Sequence, residues 1–181
     1  LDACMRALWI RLRSCWALDG AAMEERQLLL NRQLRNLFRV VPLYALSNVV
    51  TGFGVFMAMW PNLQRAPALA WFLVFLASHL MWGMHALRGL RRNRQPAPLP
   101  QGMTDLHGSA LLCAFAAIAC SVGIYLAGPY AADDGTKILL ASYVPGLIAT
   151  GVLVGITAPL VSMVWLVILT LGACLMVGRL D

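Results

Sequence analysis

The groups in this chain whose types could do chemistry are three histidines, five cysteines and a scatter of hydroxyl and amide side chains. His79, His85 and His107 are the imidazoles. Imidazoles facing each other from neighbouring helices would suit a haem or a transition metal. The spacing argues against that use, because the step from His79 to His85 sets their rings on different faces of one helix. The five cysteines (Cys4, Cys15, Cys113, Cys120, Cys174) show neither a CxxC pair nor a Cys/His ligand spacing. They read as small apolar residues. The expectation is therefore structural histidines, no metal and no cofactor.

A second group comprises polar side chains inside long apolar runs. Asn48, Thr51, Ser78, His79, Tyr125, Ser142 and Tyr143 stand out, with Ser47, Ser121 and Ser162 beside them. In hydrocarbon such groups bond across helices for about 0.6–2 kcal/mol each; the same groups would also suit a pocket for a small apolar ligand. The apolar runs contain no Asp, Glu, Lys or Arg, so the ionisable relay expected of a proton-coupled pump is missing from them. The sequence shows no nucleophile–base set, paired carboxylates or phosphate loop, and no catalytic residue is assigned.

The elements that must position these groups follow from composition. A hydrophobic fraction of 60%, with 12% charged residues and a positive mean hydropathy, lies outside the range of soluble domains. The fold class expected is all-α, a polytopic transmembrane helix bundle. Five apolar segments are long enough to cross a bilayer: about 40–60, 67–87, 109–127, 138–157 and 158–177. None alternates apolar and polar residues as a transmembrane strand does. Before them, residues 1–36 read as amphipathic and juxtamembrane helices on the cytoplasmic side, with 37–181 forming the bundle. Residues 1–18 carry Met5, Leu8, Leu12 and Cys15 on one stripe with arginines interleaved, a pattern that suits equally an interfacial helix on anionic lipid and a helix packed on another part of a larger protein. The helix that begins near Met23 runs straight into the first apolar segment.

The net charge of +6 is almost wholly arginine. Arg26, Arg32, Arg35 and Arg39 precede the first span, and Arg88, Arg91, Arg92 and Arg94 follow the second. Basic residues are retained on the cytoplasmic side, so these clusters are topology determinants that place the N-terminus inside. The second cluster lacks interleaved aromatics and no recognition module accompanies it, which argues against nucleic acid as a partner. The following "QPAPLPQ" reads as a stiff cytoplasmic connector. Spans four and five meet in "GITAP", a tight turn with Pro159 opening the last helix. Gly151 and Gly155 form a GxxxG whose readings are packing inside the bundle and a homodimer through transmembrane helices.

The segment "RQLRNLFRVVPLYALSNVVTGFGVFMAMWP" and the closing "DDGTKILLASYVPGLIATGVLVGITAPLVSMVWLVI" resemble the multi-span N-terminal sensor module of bacterial cyclic di-GMP signalling proteins that carry GGDEF and EAL domains, and of some membrane histidine kinases. The resemblance covers about residues 31–178. It implies a sensory or anchoring module in the bacterial inner membrane, contacting the lipid bilayer and passing a signal to a cytoplasmic diguanylate cyclase, phosphodiesterase or kinase domain. The GGDEF and EAL motifs themselves are absent from these residues, so no catalytic residue carries over. The alternative is a complete small polytopic subunit, such as a transporter or assembly component. The chain opens on Leu1, and five spans from an inside start leave residues 178–181 outside. The receptor reading therefore expects a sixth span beyond Asp181.

Overall fold

The computed structural model describes residues 23–60, 65–92, 97–127, 134–155 and 158–177. These form five helices: α1 (Met23–Met59), α2 (Arg65–Arg92), α3 (Leu99–Ala127), α4 (Asp134–Gly155) and α5 (Pro159–Val177). Among the described residues there is no strand. Three of the helices, α1, α2 and α3, are long and apolar enough to cross a membrane, and α5 is a shorter apolar helix. The expected interfacial helix over 1–18 and Arg94 of the second basic cluster lie outside the described residues.

Each long helix presents two stripes at helical spacing. On α1, Leu34, Val41, Ala45, Asn48, Gly52 and Val55 face inward. Leu43, Leu46, Val50, Phe53 and Met57 face outward and are exposed. Similar outward rows stand on α2 (Leu69, Leu73, Leu80, Met84, Leu87) and on α3 (Leu111, Phe115, Ile118, Val122). Exposed apolar area this continuous is foreign to a soluble monomer and matches contact with lipid tails. The helix α3 lies centrally, packed against α5 on one side and α2 on the other; α1 covers α2 and touches both α3 and α4.

The helix ends follow simple rules. Glu24 and Glu25 occupy the first turn of α1, and Arg91 and Arg92 the last turn of α2, where each charge opposes the helix dipole. The largest difference from the sequence expectation lies at α3. The sequence pattern starts this span at Ser109, with the proline run as a connector, yet the helix begins at Leu99. Pro98 sits just ahead of it and Pro100 lies in the first turn, where a missing N–H costs nothing. The first helical bond runs from Gly102 N–H to Pro98 O at 3.0 Å. Pro159 opens α5 as the sequence indicates.

Glycines make close helix approach possible. A Cβ at Gly52 of α1 would run into the Phe75 ring of α2, and one at Gly151 of α4 into the Trp165 ring of α5. The first glycine of the GxxxG is thus used inside the bundle. Polar side chains tie the α2–α3, α3–α5 and α4–α5 interfaces by donating to backbone carbonyls: Trp71 Nε1 to Ala119 O at 2.8 Å, Ser121 Oγ to Ile168 O at 3.2 Å, Trp165 Nε1 to Leu147 O at 2.8 Å and Ser162 Oγ to Gly151 O at 2.6 Å.

Candidate functional site

Inside this apolar bundle, polar side chains from three helices converge on one point. His79 of α2 has no exposed surface. Its Nδ1 lies 2.9 Å from Phe75 O, one turn back on the same helix. A carbonyl only accepts, so the ring's proton sits on Nδ1 and Nε2 is left as a bare acceptor. Cys120 Sγ of α3, also fully buried, stands 3.9 Å from Nε2 and donates its thiol proton there. Tyr143 of α4, 8% exposed, brings its hydroxyl beside the Cys120 thiol. That hydroxyl has no partner at full hydrogen-bond geometry, its polar contact being with the Cys120 sulfur.

Aromatic rings wall this point. Phe75 lies 4.3 Å from the His79 ring, centre to centre, and Trp165 of α5 meets it edge-on at 6.5 Å. Trp82 stacks on Trp165 at 5.9 Å and donates to Ser109 Oγ at 3.2 Å. Two turns along α3 from Cys120, Cys113 donates to Val161 O at 3.4 Å. Asn48 of α1 is a second buried side chain whose Nδ2 finds no partner. Buried polar atoms are nearly always bonded, so the two orphans mark places where the apolar packing is interrupted for a reason.

A second cluster closes the basic end of the bundle. Arg92 of α2 pairs with Asp105 of α3; the guanidinium side chain is 52% exposed and the carboxylate side chain 6%. His85 Nε2 lies 3.4 Å from Asp105 O, and Phe38 of α1 meets the His85 ring edge-on at 5.7 Å. Asn31 of α1 reads the backbone of Ala97 with both ends of its amide: Nδ2 donates to Ala97 O at 3.1 Å and Oδ1 accepts from Ala97 N–H at 3.0 Å. Gln27 Nε2 donates to the same carbonyl at 3.2 Å. This clasp fixes the start of α1 to the residue just ahead of α3.

Of the polar residues singled out from sequence, Asn48, Ser78, His79 and Tyr143 are interior, and Ser78 Oγ is bonded to Phe75 O at 2.8 Å. Thr51, Tyr125 and Ser142 stand on the outer surface, Thr51 bonded back to Ser47 O. Arg88 and Arg91 are exposed, while Arg92 adds a structural role to its place in the basic cluster. Sequence reasoning missed Cys120 and Asp105. The seven-residue step from Cys113 to Cys120, two turns of helix, placed both on one face, but nothing local told which partner that face would meet. Among the described residues no group of three or more His, Cys, Asp or Glu is gathered in metal-holding geometry. His79 and Cys120 form a two-member set. Comparison with family models, with curated proteins and with solved structures yields no match.

Proposed function

We propose that this chain is the membrane-embedded sensory or anchoring module of a bacterial signal-transduction protein. It sits in the inner membrane with five spans and its N-terminus inside, and passes a state to a cytoplasmic output domain of the cyclic di-GMP cyclase or phosphodiesterase class. The observation that carries the reading is the distribution of polar groups. The outward stripes of α1, α2 and α3 are apolar and suited to lipid, while the interior holds a compact polar point, His79, Cys120 and Tyr143, with no carboxylate within it. Such an interior suits binding or sensing better than turnover. The resemblance of residues 31–178 to sensor modules supplies the signalling half of the proposal, and the arginine clusters supply the orientation.

Reporter fusions test the topology. Alkaline phosphatase is expected to be active when joined after Asp134 or after Asp181, and inactive after Arg94. Activity after Arg94 inverts the orientation and ends the proposal of an inside N-terminus. The output class has its own test: deleting the gene should change the cyclic di-GMP content of the cell, and a level unchanged across growth conditions refutes that class.

A further inference from the structure

We propose that His79, Cys120 and Tyr143 form an interior binding site for a soft monovalent metal ion, Cu(I) being the biological case. The inference goes beyond the signalling reading and does not depend on it. At rest, the Cys120 thiol proton occupies the gap between Sγ and Nε2, which are 3.9 Å apart. An ion held at about 2.3 Å from sulfur and about 2.0 Å from nitrogen would see these two atoms about 130° apart, and a further separation of about 0.4 Å makes them collinear. The pair is therefore already spaced to hold an ion in place of the proton. The nitrogen needs no tautomer change, because Phe75 O keeps the proton on Nδ1 and leaves the Nε2 lone pair pointing at sulfur.

Charge and softness choose the ion. Binding releases the thiol proton to solvent and leaves a thiolate. A monovalent ion, one thiolate and one neutral imidazole sum to zero, whereas a divalent ion would leave a net positive charge in an apolar interior, a large desolvation cost. Thiolate selects soft ions, Cu(I) before any oxygen-seeking cation. The orphan Tyr143 hydroxyl then gains a purpose. A neutral thiol is a weak acceptor, and the contact of the hydroxyl with it falls short of a full hydrogen bond. A thiolate is a strong acceptor, so the O–H donates to it once the ion has displaced the proton.

The test uses the chain in detergent micelles with Cys4, Cys15 and Cys174 replaced by serine, so that only Cys113 and Cys120 remain as thiols. Cu(I) is titrated against a chromophoric Cu(I) chelator, with circular dichroism confirming the fold of every variant. One equivalent should bind. Cys120→Ser should abolish it, His79→Gln should weaken it at least tenfold, Tyr143→Phe should weaken it about tenfold with stoichiometry kept, and Cys113→Ala should leave it unchanged. X-ray absorption at the copper edge should show one sulfur and one nitrogen neighbour, a readout that does not rely on any variant folding. Absence of Cu(I) uptake by the parent chain, uptake that survives Cys120→Ser, a shell of two sulfurs, or equally tight binding of Zn(II) would each overturn the proposal.

Discussion

The clasp between Asn31 and Ala97 permits a prediction with a built-in internal check. Ala97 is buried, and its N–H has the Asn31 Oδ1 as partner, while its carbonyl accepts from both Asn31 and Gln27. Gln27→Ala removes one of two donors to a carbonyl that stays satisfied, for about 0.5–1 kcal/mol. Asn31→Ala leaves the Ala97 N–H buried without a partner, for about 1–3 kcal/mol, and removes one donor to the carbonyl for about 1 more. Alanine's better helix propensity returns a few tenths. The net loss is about 2–3 kcal/mol. At roughly 2–4 °C per kcal/mol for a chain of this size, Asn31→Ala lowers the unfolding midpoint by about 4–12 °C. The double variant strips the carbonyl of both donors and should cost about 1 kcal/mol more than the sum of the singles, a positive coupling of the kind expected where two residues share a partner. Cys113 and Cys120 are buried, so their reaction with a thiol-reactive dye during a thermal ramp reports opening, in the background lacking the other three cysteines. A strictly additive cycle, or an Asn31→Ala midpoint within a degree of the parent, would refute the reasoning.

Two further substitutions read the same assay. Gly151→Ala places a methyl group against the Trp165 ring and should destabilise by about 1–3 kcal/mol, whereas Gly54→Ala, with nothing within 4 Å of the added carbon, should stabilise by about 0.5–1 kcal/mol; equal signs for the two would contradict the packing of α4 on α5. Arg92→Gln leaves the buried Asp105 carboxylate without its guanidinium and should cost about 1–3 kcal/mol, while Arg88→Gln, on an exposed stretch of the same helix, should stay within about 0.5 kcal/mol. If the two arginines prove equivalent, the ion pair carries no stability.

What could be read from the sequence was the part written in local periodicity. The apolar runs over 40–60, 67–87 and 158–177 are helical but for Trp60 and Ala158, in helices ending at Met59, Arg92 and Val177, because uninterrupted apolar residues leave the backbone no partner but itself. The first turns of α3 were hidden by their own composition. Pro98, Pro100, Gly102 and Asp105 each favour a connector when taken singly, yet the prolines fall where a helix tolerates them, and Asp105 is accommodated by Arg92 from another helix. At the candidate site, His79 and Tyr143 were conspicuous as polar residues among apolar ones. Cys120 was not, since a buried cysteine and a buried alanine look alike until the opposing residue is known. That Nε2 of His79 is the opposing atom depends on how α2 packs on α3, and helix pairing has no signature in either helix alone.

The length of α1 has a mechanical consequence. Its 37 residues make a rod about 55 Å long, against a hydrocarbon core of about 30 Å. Pro42 lies near the middle and deprives the Phe38 carbonyl of its i+4 donor, so bending costs least there. The rod is thus a lever with two arms of about 25–30 Å. One arm leans on α2 through Phe53, Phe56 and Gly52 against Phe72 and Phe75; the other is gripped through Asn31 at Ala97. A tilt of about 10° at the pivot sweeps either end through about 5 Å and Asn31, about 17 Å from Pro42, through about 3 Å. Ala97 could not follow such a sweep without drawing on the start of α3, so the two helices share one degree of freedom at the basic end of the bundle.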